Sequence, residues 1–444
     1  MKAHLLSLVS VFGILAGTSA AGTVHVDLNG GGEYETIQEG MTAASGGDTV
    51  LVAPGTYSGP QNRDIAFGGK NVYLLSEAGA DLTIIDCQNT GRAFVLAGNE
   101  SPGTTIEGFT IMNGRAPSNG ETAGWGGAIY CSNSAPAILG CTFENCYAVR
   151  GGALHCGISA IMDIVSCEFT GNEALDYGGA IYCYGADVDI AKCDFEENVA
   201  GHSGGGVCCK TGTLVHISDC DFIDNSATDG GGVYVGTLDN GETEPEDPSK
   251  VYYCRFTGNT ASRGGGLFIN GFTWVNAAGC VFEYNTATLR GGGIFALTDY
   301  TRSLSVQSCT FCFNGAGHGG SIYSAGEFGF EMAVTQSIFA FGTGGAAVQA
   351  EDYNSVATTL CLAFGNVGGD NLSVDPSSRN LRVDPLFCDV LEGDYYLCDN
   401  SPCLLVNNPF NFALGAHTSP YTTCDACAAP VQEASWGSIK AMYR

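Results

Sequence analysis

Positive charge is scarce in this sequence of 444 residues. It has 17 Lys and Arg against 46 Asp and Glu, which gives a net charge of −29 at pH 7. Because phosphate groups are bound by clustered Lys and Arg, DNA, RNA and anionic membranes are poor partners, and we predict no nucleic-acid binding. Charged residues make up only 14% of the chain, a composition that disfavours long helices with solvated surfaces.

Long apolar segments are missing beyond the first residues. The chain begins with Lys2, an apolar run from Leu5 to Ala16 and the small residues Thr18-Ser19-Ala20. This order predicts a secretory signal peptide over residues 1–21. No later segment is long enough to span a membrane as an apolar helix. We therefore expect an exported protein without a transmembrane segment after signal removal.

Glycine and cysteine are abundant instead, with 65 and 21 residues, and they recur in a fixed order. Each repeat has Cys-x-Phe, then an Asn, then Gly-Gly, a small residue and an aliphatic residue. The Cys-x-Phe words begin at Cys141, Cys167, Cys193, Cys220, Cys254, Cys280 and Cys309, at spacings of 26 to 34 residues. Self-similarity at such a period indicates a stack of similar units.

The repeat predicts an all-β fold. Polar and apolar residues alternate over short runs separated by Gly and Asn, as in strands with one buried face. We predict a single-stranded right-handed parallel β-helix over residues 22–384, with regular coils at about 126–370. Ile37, Met41 and Ala44 share one helical face, which predicts a short N-terminal capping helix. Residues 385–427 depart from the repeat and are predicted to close the core, followed by a tail over residues 428–444.

The cysteines are predicted to be mostly reduced. Cys and Phe two residues apart point to the same side of a strand, so both should form ladders in the core. A second inward column comprises Cys131, Cys156, Cys183 and Cys209. Buried free Cys behaves as a small apolar group, although export also permits disulfides. Disulfides are expected outside the ladders, among Cys388, Cys398, Cys403, Cys424 and Cys427.

The repeated words resemble those of known families. The Gly-Gly-Ala-Ile and Phe-x-x-Asn words are similar to the repeats of chlamydial-type polymorphic outer membrane proteins. The stretch from Gly47 to Tyr57 resembles the opening of many secreted pectin-lyase-like β-helix proteins. Together these likenesses cover roughly residues 34–400. They imply a bacterial protein that is secreted or associated with the cell surface or outer membrane, often with a role in adhesion or polysaccharide contact. Gly317-His318-Gly319 is similar to one polygalacturonase word, but the companion Asn-Thr-Asp word and Asp pair are absent.

A first candidate site is the position four residues before each aliphatic residue. We call this set the edge column: Trp125, Arg150, Tyr177, Ser203, Asp229, Arg263, Arg290 and His318. Aromatic faces suit sugar rings, and Arg suits carboxylates or sulfates. Trp125, Arg150, Tyr177, Arg263, Arg290 and His318 are therefore candidates for binding a polysaccharide or another cell-surface ligand. The alternative is an exposed edge that tolerates any residue.

A second candidate site lies between Cys and Phe. We call Glu168, Asp194 and Asp221, with Glu196 beside them, the acidic column. Carboxyl groups about 5 Å apart match the pair of a retaining glycosidase, which makes these four residues catalytic candidates. Asp194 and Asp221 are also candidates for binding calcium, the one cofactor that the sequence suggests. The alternative is a solvated sheet face. Arg255 comes next in the same column, where it is the only basic residue that could serve a lyase.

These features predict a non-catalytic extracellular scaffold that binds glycans or other surface ligands. The alternatives are a polysaccharide lyase or glycoside hydrolase acting on an acidic polysaccharide, and a purely structural module of the cell surface. An enzyme would need a groove where the carboxylates meet a basic residue. A binding module would instead present an aromatic and Arg line without such a groove.

Overall fold

The computed structural model describes residues 21–120, 122–236, 248–271, 274–297, 304–326, 331–351, 354–390, 393–408, 410 and 412–416. Most of the predicted signal peptide, Cys424, Cys427 and the predicted tail lie outside these residues. The predicted fold is confirmed: the chain is a right-handed parallel β-helix. Its coils contribute strands to three long parallel sheets, which we call A, B and C in the order in which the chain passes through them.

The described residues place 13 strands in sheet A, 12 in sheet B and 11 in sheet C. Sheet A comprises Thr23–Val26, Thr49–Val52, Tyr73–Ser76, Thr105–Glu107, Ala137–Leu139, Ile161–Val165, Asp187–Ala191, Leu214–Ser218, Ser249–Tyr252, Val275–Ala278, Leu304–Gln307, Glu331–Thr335 and Ser355–Thr359. Sheet B comprises Gly55–Ser58, Thr83–Asp86, Thr110–Met112, Thr142–Glu144, Glu168–Thr170, Asp194–Glu196, Asp221–Ile223, Arg255–Thr257, Val281–Glu283, Thr310–Cys312, Ile338–Ala340 and Leu362–Phe364. Sheet C comprises Ile65–Ala66, Phe94–Leu96, Ile129–Cys131, Leu154–Cys156, Ile181–Tyr184, Val207–Lys210, Val233–Gly236, Leu267–Asn270, Ile294–Leu297, Ile322–Ala325 and Val348–Ala350.

Short strands also line the corner between sheets B and C. One group comprises Tyr147–Arg150, Glu173–Tyr177 and Val199–Ala200, and the other Thr260–Arg263, Thr286–Arg290 and Gly315–His318. An antiparallel pair, Phe387–Asp389 and Asp394–Leu397, follows the coils. Two 3₁₀ turns lie at Pro60–Asn62 and Pro376–Ser378.

The predicted capping helix is present at Ile37–Ala43. Thr36 begins it, because its hydroxyl accepts a hydrogen bond from the Glu39 backbone N–H at 3.3 Å. Ile37 and Met41 are buried in the core cluster that continues into the coils. The helix therefore covers the apolar end of the stack.

Phenylalanines form the predicted ladder inside sheet B. The rings of Phe143, Phe169, Phe195, Phe222, Phe256, Phe282, Phe311 and Phe339 lie parallel, with neighbouring centroids 4.6 to 4.9 Å apart. All eight are fully buried. Their spacing follows the separation of neighbouring parallel strands, so one ring per coil fills the core continuously.

Asparagines form a second ladder, at the turn after sheet B. Asn172, Asn198, Asn225, Asn259, Asn285 and Asn314 are completely buried. The side-chain amide of Asn198, for example, donates to Asn225 Oδ1 at 3.0 Å and to the Phe169 carbonyl at 2.8 Å. The Asn that recurs in each repeat thus bonds to neighbouring coils, and each amide satisfies buried backbone groups that would otherwise lack partners.

The Gly-Gly words allow the coils to stack closely. The first Gly has a positive φ, 66° at Gly204 and 66° at Gly230. The second Gly faces the next coil: a Cβ on Gly205 would lie 2.2 Å from the Gly231 carbonyl oxygen. Because real Cβ atoms do not approach backbone so closely, this position requires Gly.

The predicted thiol ladders are confirmed. The described residues include 17 free cysteines, all buried. Burial raises the pKa of Cys141 to about 11 and that of Cys361 to about 12, so these thiols stay protonated and unreactive. Cys388 and Cys398, outside the ladders, are disulfide-bonded as expected. Cys403 differs from that expectation, because it is a buried free thiol within an apolar cluster.

We expect the folded protein to hide these thiols from a bulky thiol reagent. Titration with a chromogenic disulfide in native buffer should leave the 17 buried thiols unreacted, and unfolding in guanidinium chloride should release them together. A Cys424→Ser/Cys427→Ser variant is the control, because it removes the two cysteines outside the described residues. Rapid native reaction of ladder thiols in that variant would contradict the buried ladders.

Closure of the core by residues 385–427 stays a prediction, because residues 417–427 lie outside the part of the chain that the structure describes. After the last strand of sheet B, Leu372 belongs to the core cluster. The Leu381 N–H donates to the Cys361 carbonyl of the last coil at 2.7 Å. The following residues instead pack on the outer face of sheet B, where Tyr395 and Leu397 belong to one apolar cluster with Val281 and further outward residues. The physical reason is that outward positions of these late coils are apolar and need a cover.

Candidate functional site

The acidic column lies in register on the outer face of sheet B. Glu168, Asp194 and Asp221 pair across three neighbouring strands, and Arg255 follows in the next. Burial, and then Asp221 and Glu168, raise the pKa of Asp194. Burial also raises the pKa of Asp221, against the opposite effect of Arg255. Glu196 lies on the strand of Asp194 and is exposed. The four residues are therefore brought together as the sequence predicts.

The basic neighbour of that column is already engaged. Arg255 Nε and Nη2 each lie 2.5 Å from Oε1 of Glu283, a carboxylate that is almost completely buried. Thr257 donates to the same oxygen at 2.8 Å, and the Tyr395 hydroxyl donates to the other. Arg255 is thus the counter-ion of Glu283, although its charge also lowers the pKa of the neighbouring Asp221.

Calcium finds little support in the acidic column. Within the described ranges, no group of three or more His, Cys, Asp or Glu side chains is placed to hold a metal ion. Calcium takes six to eight oxygen ligands, whereas Asp194 and Asp221 supply two carboxylates on an open sheet face. Calcium binding remains a prediction.

The edge column lies in register at the corner between sheets B and C. Its residues pair from coil to coil in the predicted order, Trp125 with Arg150, Arg150 with Tyr177, and onward through Ser203, Asp229, Arg263, Arg290 and His318. Most of these side chains are half-buried, and His318 is exposed. They pack against a second set of residues, which the sequence-based predictions did not include.

A row of rings runs along the outer face of sheet C. This ring row comprises Tyr130, His155, Tyr182, Cys208, Tyr234, Phe268, Phe295 and Tyr323, in register on successive strands. Cys208 is its one member without a ring. The sequence contains a signal for this row. Each member stands between the aliphatic residue and the second inward residue of its repeat, and alternation assigns that position to the outer face.

The edge column packs over the ring row. The Trp125 ring stacks on His155 with centroids 5.0 Å apart, and the Tyr177 ring stacks on Tyr182 at 5.9 Å. His155 in turn stacks on Tyr130 at 5.2 Å. The ring row is consequently buried, and the edge column forms its accessible rim. Stacked rings of this kind hold each other in fixed orientations.

Two Arg of the edge column carry their own counter-ions. Arg263 donates to both carboxylate oxygens of Asp229, at 2.8 and 2.7 Å. Arg290 donates to Glu351 at 3.1 Å. Their guanidinium groups also lie over rings of the row, 5.2 Å from the Phe268 centroid for Arg263. The rim at these coils is therefore balanced in charge.

His155 is an uncharged member of the row. Burial, and then the neighbouring Arg150 and Arg92, lower the pKa of His155 to about 3. Its Nδ1 is buried and has no hydrogen-bond partner in the part of the chain that the structure describes. His155 therefore contributes a neutral ring to the row.

An open cleft of about 390 Å³ adjoins the rim. It lies on the short strands of the corner and is lined by small residues, among them Gly201, Thr228, Ser262 and Thr288. Thr228 donates to the Gly201 carbonyl across it at 2.9 Å. None of the residues that line the cleft belongs to the acidic column.

Comparisons with known proteins address the fold. Residues 129–311 match the family described as the right handed beta helix region. Among solved structures, the chain is similar to a pectin methylesterase from carrot, with 12% identity, a TM-score of 0.32, and coverage of 83% of this chain and 90% of that one. A likeness of that size carries no information on activity. No curated protein matches the chain. No helix in the described residues is long and apolar enough to cross a membrane.

Proposed function

We propose that this β-helix is an exported, non-catalytic scaffold that binds a glycan along the rim of sheet C. The observation that carries the proposal is the edge column held in register over the ring row. Neighbouring coils present one rim residue each, about 4.8 Å apart, so the rim is a linear array. Aromatic residues such as Trp125 and Tyr177 offer apolar faces to sugar rings and polar edges to their hydroxyls.

Catalysis is the weaker interpretation of the same molecule. An enzyme would need a basic residue poised beside the acidic column, but Arg255 is bonded to Glu283. A lyase or hydrolase of acidic polysaccharides remains the alternative because burial raises the pKa of Asp194 and of Asp221, and a raised pKa suits a carboxyl that acts as a general acid. A structural surface module would use neither face for glycans and would self-associate.

A glycan array with the mature protein tests the proposal, run with calcium and with a chelator while the same glycans are monitored for cleavage. We expect binding without cleavage, and weakening of about tenfold in Trp125→Ala or Tyr177→Ala. Tyr253→Ala is the matched control, because Tyr253 is 68% exposed at the corner between sheets A and B.

The outcomes separate the three interpretations. Equal weakening by the Tyr253 substitution would refute a rim-specific site. Cleavage lost in Asp194→Asn or Asp221→Asn would establish the enzyme alternative. Self-association without binding of any glycan would favour the structural module.

A further inference from the structure

Among the residues that the structure describes, two cations near the rim have no carboxylate partner. Within the described residues, no Asp or Glu oxygen lies within 4 Å of the guanidinium of Arg150 or the ammonium group of Lys210. Instead both lie over the same ring: Lys210 Nζ is 3.4 Å from the Tyr177 centroid, and Arg150 Cζ is 5.6 Å from it. In a chain with 46 acidic and 17 basic residues, carboxylates are plentiful, yet none within the described residues neutralises this pair.

The surroundings of these cations make the lack of an anion costly. Lys210 is only 6% exposed, and Arg150 Nε is buried without a hydrogen-bond partner among the residues described. Ring faces attract cations, but a cation buried against rings keeps most of its desolvation cost unless an anion joins it. His155 is neutral because its pKa is lowered to about 3, so it adds no third positive charge beside them. An anionic group entering from the rim would complete this environment.

The same fold shows what a completed environment looks like. Arg263 lies over Phe268 just as Arg150 lies over Tyr177, but Arg263 has the carboxylate of Asp229 in its own chain. One coil before Asp229, the edge column has Ser203, which brings no charge to Lys210 or Arg150. Within the described residues, the rim therefore has two parts. Carboxylates of the same chain neutralise Arg263 and Arg290, whereas none neutralises Arg150 and Lys210.

We propose that Arg150 and Lys210 form an anion subsite that takes carboxylate or sulfate groups of the bound glycan. This inference rests on the proposed function and assigns charge selection to one part of the rim. Arg150 supplies a planar fork of donors that matches a carboxylate or sulfate, and Lys210 supplies a point charge. Tyr177 and Tyr182, which stack on each other beside the cations, hold both of them in place.

The test is titration calorimetry of the mature protein with three polymers of matched length: a polyuronate, a sulfated dextran and neutral dextran. We expect the wild type to bind at least one anionic polymer more tightly than neutral dextran. Arg150→Gln and Lys210→Gln should each raise that Kd about tenfold, because each removes one charge-assisted contact. Lys192→Gln is the matched control, since it removes the same charge from an exposed lysine between sheets A and B.

A second pair of variants guards against loss of folding. Arg150→Lys and Lys210→Arg keep the charge, so they should retain more binding than the Gln variants, and circular dichroism should confirm that all four fold. Preference of the wild type for the sulfated or the carboxylated polymer identifies the group.

The outcomes distinguish the two proposals. Binding of neutral dextran with equal affinity, or an equal loss in Lys192→Gln, would overturn the anion subsite and leave the glycan scaffold standing. A wild type that binds no polymer, in calorimetry or on the glycan array, would overturn both.

Discussion

Replacing Asn225 with Ala is expected to lower the free energy of unfolding by about 3 to 5 kcal/mol. The Oδ1 of Asn225 accepts from both the backbone and the side-chain amide of Asn198, at 3.0 Å each, and its own amide donates to the Phe195 carbonyl at 2.8 Å. Alanine would leave two donors and one acceptor without partners inside a fully buried turn. Each orphaned group costs about 1 to 3 kcal/mol, reduced where water can enter the space left behind.

Guanidinium unfolding followed by circular dichroism measures this loss. Glu196→Gln is the control, because Glu196 is an exposed residue near the same turn, and its change should stay within about 0.5 kcal/mol. If Asn225→Ala unfolds at the same denaturant concentration as Glu196→Gln, the Asn ladder contributes little to stability and the stacked side chains alone hold the coils.

Replacing His155 with Phe is expected to remove part of the acid sensitivity of the fold. Burial, and then Arg150 and Arg92, lower the pKa of His155 from 6.5 to about 3 in the folded protein. As pH falls below 6.5, the unfolded chain takes up a proton that the folded chain refuses until about pH 3. Stability from this group is therefore full above pH 6.5 and is lost on acidification, at about 1.4 kcal/mol per pH unit.

The measurement compares the free energy of unfolding at about pH 7.5 and pH 4.5. Wild type should lose about 2 to 3 kcal/mol more than His155→Phe over this interval, because Phe keeps the stack with Tyr130 and Tyr182 but binds no proton. His25→Phe, at an exposed His on the first strand of sheet A, should behave as wild type. Parallel acid profiles for wild type and His155→Phe would mean that His155 is protonated in the folded state.

The sequence predicts the coil architecture well because every coil obeys the same two rules. Alternation fixes which side chains face inward, and the constant period fixes which residue of one coil meets which of the next. The register of Phe195 with Phe222 and of Arg263 with Arg290 follows directly from these rules. The Gly-Gly and Asn words mark the turns, so the fold is specified locally in each repeat.

Contacts that leave the repeat could not be predicted in the same way. Glu351 reaches Arg290 from 61 residues away, and Tyr395 reaches Glu283 from 112 residues away. Neither separation in sequence follows from the repeat. The repeat therefore does not show which Arg has a carboxylate partner. Arg290 therefore could not be distinguished from Arg150 in the sequence, and the structure separates them because Arg290 donates to Glu351.

The sequence-based predictions missed the ring row for a different reason. Its residues follow from alternation alone, since Tyr182 stands between the inward Ile181 and Cys183. Outward aromatic residues were not expected to be buried, because nothing in the repeat states that the edge column folds over them. Burial of that face depends on side-chain direction at the corner, which the period does not encode.

The identical register of neighbouring coils has a consequence for how a chain of this kind can change in length. Cys141, Cys167 and Cys193 are 26 residues apart, and Phe143, Phe169 and Phe195 pair directly. Excising residues 168–193 would bring Phe195 opposite Phe143 and leave every ladder continuous. Excising a single residue within a strand would shift the following inward side chains outward. Such a gene can gain or lose whole coils, and with them whole rim positions, while single-residue insertions and deletions are confined to the corners.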